Sequence, residues 1–337
     1  MKQLHLLLMI ACALTAGSLC TAQAEDSASA TSVQLVSDVW PPFTNHFGQP
    51  RIATELVHLA LAKSGYKPTS EILNNWTVPA DLKADKYDGC AAIWKSEERE
   101  DYLLFSKPYL ESRIHLAGKK GNDVSITDLS QLKGKRLALV KDYAYGELVE
   151  SLTGVEIIYG KDDVTNLKML ISDEADYTLV DDLLIQYALK EHAEKCEEFL
   201  DFGQQSLQTN PIHLAVRKNL PGAEDMIKKF DQTIRLMQAD GTYNRVLRLN
   251  SIAIDIDGDG QKELVLADVN LGIEAPTGGY DVFADNTDAP KLPAKTRYSI
   301  RDTIYNGWDA VPDDYRGMDD VIPDTREEGF SIFGGDF

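Results

Sequence analysis

Positive charge is scarce in this sequence. The 337 residues include 34 Lys and Arg against 54 Asp and Glu, which gives a formal net charge of −20 at pH 7. Proteins that bind nucleic acid through its phosphates supply Lys and Arg, so we do not expect this chain to bind nucleic acid. Cations and basic partner surfaces are the ligands that such a charge favours. Much of the excess falls in residues 251–337, where 19 acidic side chains stand against 7 basic ones.

Long apolar runs are also scarce. One extends from Leu4 to about Leu19, after a single Lys, and it is followed by the small-residue pattern Ala-Gln-Ala that ends at Ala24. This order of segments predicts a secretory signal peptide over residues 1–24, cleaved after Ala24, and therefore export to the periplasm. A membrane anchor is one alternative, but the run is short for one and no second long apolar run follows. A lipoprotein cut at Cys20 is another, but Leu19 before it is a poor fit to the small residue that such processing prefers.

Cysteine is the third scarce feature, with four in the whole chain, and only Cys90 and Cys196 lie beyond residue 24. Two cysteines in an oxidising compartment can form one disulfide bond, although the sequence does not show that these two meet. Cys90 lies in an apolar, strand-like stretch, and Cys196 follows a predicted helix. We expect both to be unpaired or buried.

Strands and helices alternate along the chain from residue 33. Apolar periodicity and turn residues predict strands at 33–39, 69–73, 89–94, 176–180 and 212–216. The same signals predict helices at 52–64, 79–84, 145–153, 164–173 and 183–193. Such alternation is typical of an α/β fold, an open sheet with helices on both faces.

The segment 96–109, SEEREDYLLFSKPY, is the most informative in the chain. A Ser is followed three residues later by Arg99, and then by a strand that ends in Phe-Ser-x-Pro-Tyr. This pattern resembles the signature of the family-3 extracytoplasmic solute-binding proteins, which bind amino acids and similar small polar solutes. Residues 240–243, Asp-Gly-Thr-Tyr, resemble the closing segment of the same family, so the resemblance covers about residues 32–250.

The resemblance implies a bilobal periplasmic-binding-protein type II fold, α/β in class, with a two-stranded hinge. It predicts lobe 1 at 32–112 and 206–250 and lobe 2 at 113–205, and it leaves 251–337 as an acidic C-terminal extension. Aromatic and Pro residues in the extension suggest a small β-rich appendage. A disulfide between the two cysteines would join the lobes and oppose hinge motion, which favours unpaired cysteines.

Arg99 is the first candidate ligand residue. A guanidinium group is planar and permanently charged, and it can hold a carboxylate through two parallel hydrogen bonds. Ser96 would add a hydroxyl donor to the same carboxylate. The alternative is a solvated charged turn, because Arg99 stands among four acidic residues.

Asp181 is the second candidate. It lies in ADYTLVDD, which resembles the family segment whose later Asp accepts hydrogen bonds from the ligand's α-amino group. Arg99 and Asp181 would then read the two charges of a zwitterion from opposite lobes. The alternative is that Asp181 caps the helix that follows it.

Aromatic residues supply the remaining candidates. Trp40 and Phe43 follow the first strand, in DVWPPFTNHFG, and Trp94 precedes Ser96 by two residues. An aromatic face attracts an ammonium group and excludes water, but Trp40 and Phe43 are equally consistent with the lobe core. Relatives carry Gly followed by Ser or Thr in the loop where this chain has LVKDYAYGE, so Tyr143 is expected to change the shape of the pocket.

The extension contains IDIDGDGQKELVL, with carboxylates at positions 1, 3, 5 and 9 of a loop and Gly at position 6. Oxygen ligands at this spacing suit a hard cation such as calcium, and we predict a structural Ca²⁺ site. The predicted ligands are Asp255, Asp257, Asp259, the Gln261 carbonyl and Glu263. Position 12 is Leu266, which excludes an EF-hand, and the loop instead resembles the calcium loops of FG-GAP repeats. An Asp-Gly-rich turn without metal is the alternative.

The function implied by the resemblance is capture of a small polar solute, an amino acid above all, by closure of the lobes. The implied partner is an ABC importer, or alternatively a sensor kinase, at the inner membrane, and we expect a monomer that needs no cofactor for function. An enzyme on the same scaffold, similar to cyclohexadienyl dehydratase, is the competing class. Its candidate acids, Glu55 and Glu98, are more simply surface or packing carboxylates, so we predict no enzymatic activity.

Overall fold

The computed structural model describes residues 30–73, 77–141, 143, 145–267, 274–283, 296–301 and 303–316. The predicted signal peptide and part of the predicted appendage lie outside the described residues. The strands are β1 (Thr31–Asp38), β2 (Tyr66–Leu73), β3 (Gly89–Ile93), β4 (Leu103–Phe105), β5 (Leu110–Lys119), β6 (Arg136–Val140), β7 (Glu156–Gly160), β8 (Tyr177–Asp181), β9 (Leu200–Arg217), β10 (Ser251–Ile254), β11 (Glu263–Leu266), β12 (Tyr280–Asp281), β13 (Arg297–Ile300) and β14 (Thr303–Asn306). The helices are α1 (Ile52–Lys63), α2 (Val78–Lys83), α3 (Glu97–Glu100), α4 (Glu147–Glu150), α5 (Asp163–Ile171), α6 (Asp182–Glu191), α7 (Ala193–Phe199), α8 (Ala223–Ala239), α9 (Thr242–Leu247) and α10 (Asp313–Arg316).

The first nine strands form one mixed sheet. Its order is β2-β1-β3-β9-β5-β8-β6-β7, and β4 pairs with β9. Strand β1 is parallel to β2 and β3, and β6 is parallel to β7 and β8. Because parallel strands need crossover connections, helices cover these parts of the sheet, and the predicted α/β class is confirmed.

Two long antiparallel strands, β5 and β9, join the two parallel parts of the sheet and are called the crossing strands below. Their pairing runs from Leu110 opposite Ile212 to Lys119 opposite Leu200. The register shifts near His115, which is paired with Ser206. The chain therefore passes twice between the halves where the hinge is predicted, while the exact lobe boundaries stay a prediction.

Helix α1 shows why the sequence folds as expected around the first strands. Its buried side chains recur at intervals of three and four residues, which places them on one face. They are Ile52, Ala53, Thr54, Leu56, Val57, Ala60 and Leu61. Each large aliphatic side chain on this face contributes about 1.5–3 kcal/mol through its burial. Gly65, with φ of +89°, ends the helix in a conformation that other residues adopt at a cost.

A separate five-stranded sheet, in the order β12-β10-β11-β13-β14, follows α9. Ile252 and Val265 belong to the same core as Tyr243 and Leu247 of α9. The Asn244 side-chain amide also donates to the Val265 carbonyl over 2.8 Å. The predicted β-rich appendage is confirmed, and its inner face is part of the main hydrophobic core.

Among the described residues, no helix is long and apolar enough to span a membrane.

Candidate functional site

A cavity of about 150 Å³ lies where β1, β3 and β8 end and where the crossing strands pass beneath them. Ligands of open α/β sheets bind at this edge, because the loops after the strands can approach one another there. Five of the seven predicted ligand residues line the cavity, namely Trp40, Trp94, Arg99, Tyr143 and Asp181. Ser96 and Phe43 are not among the described residues that line it.

Arg99 is held in place by its own local structure. Its Nη1 donates to the Trp94 carbonyl over 2.6 Å. Ser96 is the N-cap of the short helix α3, and its hydroxyl accepts from the Arg99 amide over 3.4 Å. Ser96 therefore orients the turn that carries Arg99, and a hydrogen bond from its hydroxyl to the ligand stays a prediction.

Asp181 caps the following helix, as the alternative interpretation held, and its side chain is also placed on the cavity. Its Oδ1 accepts from the Leu183 amide over 2.9 Å and caps α6. Its Oδ2 accepts from the Arg113 amide over 3.1 Å, and the side chain also lines the cavity. Burial and the negative charge of Asp182 raise the pKa of Asp181 well above its ordinary value. A bound cation would therefore relieve the unfavourable charge of the Asp181 carboxylate.

Two further carboxyl groups line the cavity, and sequence reasoning missed both. Asp38 ends β1, and burial raises its pKa to about 6 although the charge of Arg99 opposes the shift. Asp163 begins α5, and burial together with the charge of Asp162 raises its pKa to about 7. The Tyr143 hydroxyl donates to Asp163 Oδ2 over 3.3 Å. With Asp181, these groups make the cavity markedly acidic.

The signal for the missed residues was present but ambiguous. Asp38 is a polar residue at the carboxyl end of a strand whose preceding residues are buried, which is a position typical of ligand contact. Asp163 follows Asp162, and either could cap α5. Asp162 does so, because its Oδ1 accepts from the Thr165 amide over 2.7 Å. The sequence alone does not say which of the two adjacent carboxylates faces the cavity.

Aromatic rings form one wall of the cavity. The rings of Trp40 and Trp94 meet edge to face, with centroids 5.5 Å apart and an interplanar angle of 87°. Phe43 packs behind Trp40 at a centroid distance of 4.6 Å and has no exposed surface. The prediction of ligand contact is therefore corrected for Phe43, whose ring is part of the core, as the alternative interpretation held.

The remaining reactive candidates lie away from the cavity. Cys90 and Cys196 are both buried and free. Burial raises the pKa of the Cys90 thiol to about 12, so it is protonated at neutral pH. Glu98 pairs with Lys83 at the surface, and Glu55 lies within 3.8 Å of Arg51. Neither glutamate is among the described residues that line the cavity.

The predicted calcium loop, residues 255–263, follows β10 and leads into β11 of the C-terminal sheet. Oxygens of Asp255, Asp257 and Glu263 lie within 4.8 Å of one another. The guanidinium of Arg297, on β13, contacts Asp257 at 3.3 Å, Asp259 at 2.9 Å and the Glu263 carboxylate. It also donates to the Gln261 carbonyl over 3.2 Å. Arg297 thus supplies the positive charge that these carboxylates need, which the sequence argument had assigned to a metal ion.

The fold and the cavity define a class: an α/β protein that binds a small solute between two halves joined by crossing strands. The chain belongs to the bacterial extracellular solute-binding proteins, family 3, whose sequence pattern matches residues 36–248. The match ends before β10, so the C-terminal sheet lies outside it.

The chain is also similar to individual proteins. The chain is 31% identical over 179 residues to the L-cystine-binding protein TcyJ of Escherichia coli K12, an alignment covering 49% of this chain and 65% of the relative. An ancestral arginine-binding protein in complex with arginine has a TM-score of 0.52 at 23% identity, covering 65% of this chain and 98% of its own. The GluR0 ligand-binding core of Nostoc punctiforme, in complex with L-glutamate, has a TM-score of 0.51 at 18% identity. The match covers 64% of this chain and 96% of the GluR0 core. These two structures share the fold.

Proposed function

We propose that this protein captures an amino acid in the cavity lined by Arg99 and Asp181 and delivers it to an ABC importer. The observation that carries the proposal is the presence of an anchored guanidinium and an anchored carboxylate on one small cavity. Arg99 would bind the α-carboxylate through paired hydrogen bonds, and Asp181 would accept hydrogen bonds from the α-ammonium group. The aromatic wall of Trp40 and Trp94 excludes water and strengthens both interactions.

The charge of the cavity points to a finer ligand class. Arg99 is its one cation among the described lining residues, against the carboxyl groups of Asp38, Asp163 and Asp181. A zwitterion pairs with Arg99 and one carboxyl group, and the other two buried carboxyl groups are left for a second cationic group of the ligand, beside which they would ionise. We therefore propose an amino acid with at least two positively charged nitrogen groups. The E. coli relative is named for L-cystine, which carries two ammonium groups and supports this class.

A thermal-shift screen of the purified protein tests the proposal. L-arginine, L-lysine and L-cystine are compared with L-glutamine, which is neutral in its side chain, and with L-glutamate. A ligand at about 100 times its dissociation constant adds about 2.7 kcal/mol to the free energy of unfolding and raises the melting temperature by several degrees. We expect shifts with the first three amino acids and none with L-glutamate. A shift with L-glutamate alone would contradict the proposed class.

We also propose that residues 255–263 bind calcium as a structural ion. The donors are all oxygen atoms, and three of the carboxylates already converge, which suits this cation. Arg297 occupies the same group of ligands, so calcium and the guanidinium compete for the loop. Calcium would bind by displacing Arg297 from at least Asp257 and Glu263.

A further inference from the structure

Through β12, the C-terminal sheet contacts residues next to Asp181, which lines the ligand cavity. Arg113, on the crossing strand β5, is 4% exposed and donates from Nε to Asp182 Oδ2 over 2.7 Å. Its Nη2 lies 2.6 Å from the same oxygen. Its Nη2 also donates to the Asp281 carbonyl of β12 over 2.7 Å. One buried guanidinium therefore joins the crossing strand, the start of α6 and the extension.

Tyr280 completes the same cluster from β12. Its hydroxyl donates to Asp182 Oδ1 over 3.0 Å, so both oxygens of Asp182 are engaged. Its ring lies against Arg113, with the guanidinium carbon 4.9 Å from the ring centroid. A charge-assisted hydrogen bond and a cation–π contact in a buried setting each restrict the positions available to their partners.

Asp182 is the immediate neighbour of Asp181, the acid proposed to bind the ligand's ammonium group. Asp181 Oδ2 accepts from the backbone amide of Arg113, so the two residues that Tyr280 contacts are also the two that flank the Asp181 carboxylate. A shift of either the Asp182 backbone or the Arg113 backbone would move that carboxylate relative to the cavity.

Strand β12 is itself held firmly on the other side. It pairs with β10 through Ile252 opposite Tyr280, and Ile252 is fully buried in the core shared with α9. Lys262 donates to both Asp281 carboxylate oxygens, over 2.7 and 2.8 Å. The contacts with Arg113 and Asp182 are therefore made by a strand that is itself held in place and that lies outside the region matching the family.

We propose that β12 of the C-terminal extension is a positioning element of the ligand site, in which Tyr280 and Asp281 hold Arg113 and Asp182 and thereby fix the Asp181 carboxylate. This inference rests on the proposed function. It assigns the extension a role in ligand affinity, exerted through residues that do not line the cavity.

The test is a double-mutant cycle on the dissociation constant, measured by calorimetry with L-arginine, L-lysine and L-cystine. Tyr280→Phe removes the hydrogen bond to Asp182 and keeps the ring on Arg113, and Asp182→Asn removes the charge that accepts it. Tyr298→Phe is the matched control, since it removes a 3.2 Å hydrogen bond to the Pro276 carbonyl within the same sheet. The melting temperature of each ligand-free variant is measured alongside.

We expect Tyr280→Phe to weaken binding about 10-fold, as for the loss of one hydrogen bond to a charged group. In the Asp182→Asn background the same change should weaken binding less than about 2-fold, because the acceptor is then a neutral amide oxygen instead of a charged carboxylate. Tyr298→Phe should lower the melting temperature comparably and leave affinity within about 2-fold. Equal affinity for wild type and Tyr280→Phe, or fully additive effects, would overturn the inference. Wild-type protein that binds none of the three amino acids would overturn the proposed function and this inference with it.

Discussion

Arg99, on α3, and Asp181, at the end of β8, line the same cavity from separate parts of the sheet. Arg99 is anchored on the Trp94 carbonyl, and Asp181 is anchored on the amides of Leu183 and Arg113. Both side chains are held by the backbone before a ligand arrives, so little side-chain freedom remains to be lost on binding. This arrangement suits recognition of a small zwitterion.

Substitution of Asp38 tests the proposed charge of the ligand. In Asp38→Asn the cavity keeps its shape and loses one carboxylate, so we expect affinity for L-arginine and L-lysine to fall about 10-fold relative to L-glutamine, equivalent to ~1.4 kcal/mol. Calorimetric titration of the three amino acids measures this ratio.

Asp231→Asn is the control for this experiment. Asp231 is also a carboxylate whose pKa burial raises, but it accepts from the Lys107 amide over 3.0 Å and is not among the described residues that line the cavity. It should leave the ratio unchanged. An Asp38→Asn protein with the wild-type preference would show that Asp38 does not select charge.

The raised pKa values predict an unusual pH dependence of stability. Burial raises the pKa of Asp163 to about 7 and that of Asp38 to about 6, both above the ordinary value of 3.8. The neutral carboxyl groups stabilise the ligand-free fold, and this contribution is complete below pH 3.8 and is lost as the pH rises through about 6 and about 7. Between pH 5 and pH 8 the melting temperature of Asp163→Asn should fall less than that of wild type, with a difference of about 2 °C or more. Scanning calorimetry without ligand measures both slopes, and parallel slopes would contradict the assignment.

We expect the two aromatic residues after β1 to differ in role, with Phe43 supporting the fold and Trp40 contacting the ligand. Phe43 is fully buried, so Phe43→Ala should lower the free energy of unfolding by about 3–5 kcal/mol through the cavity it leaves. Trp40 lines the ligand cavity, so Trp40→Ala should weaken ligand binding by more than it weakens the fold. Denaturant unfolding and ligand titration of the two variants provide the comparison. A Phe43→Ala protein with normal stability and no ligand affinity would instead indicate that Phe43 contacts the ligand.

Calcium affinity depends on Arg297 if the loop is a metal site. Arg297→Gln removes the competing charge from Asp257, Asp259 and Glu263, so we expect it to bind calcium at least about 10-fold more tightly than wild type. Asp257→Asn should weaken calcium binding in either background. Titration of the calcium-stripped proteins measures these constants, and an Arg297→Gln protein that binds no calcium would refute the proposed site.

The sequence predicted the parts of this structure that depend on local patterns. Helix α1 matches its predicted range to within one residue, because its apolar spacing and Gly65 define both ends. Arg99 and Asp181 were found because each stands in a short segment typical of the family. Helix α4 is shorter than the predicted 145–153, since Tyr145 instead turns its hydroxyl back to the Val140 amide over 3.0 Å.

The parts that were missed depend on contacts between distant residues. The local sequence leaves the direction of Asp38 and Asp163 ambiguous, and the cavity that they line is assembled from several segments of the chain. The contact of Tyr280 with Arg113 joins the extension to the crossing strands, and the apolar periodicity of the sequence does not predict it. The contact of Arg297, on β13, with the calcium loop was missed because it also joins residues that are distant in sequence.

The most direct test of the account is a calorimetric titration of L-arginine, L-lysine and L-cystine into wild-type protein, Arg99→Ala and Asp181→Asn. Arg136→Ala serves as the control, because its pairing with Asp176 at 2.9 Å does not involve the described cavity residues. We predict binding to wild type and to the control, and a loss of affinity of about 100-fold in each cavity variant, equivalent to ~3 kcal/mol for the removal of a buried charged partner. Undiminished affinity in both Arg99→Ala and Asp181→Asn would contradict the claim that this cavity is the ligand site.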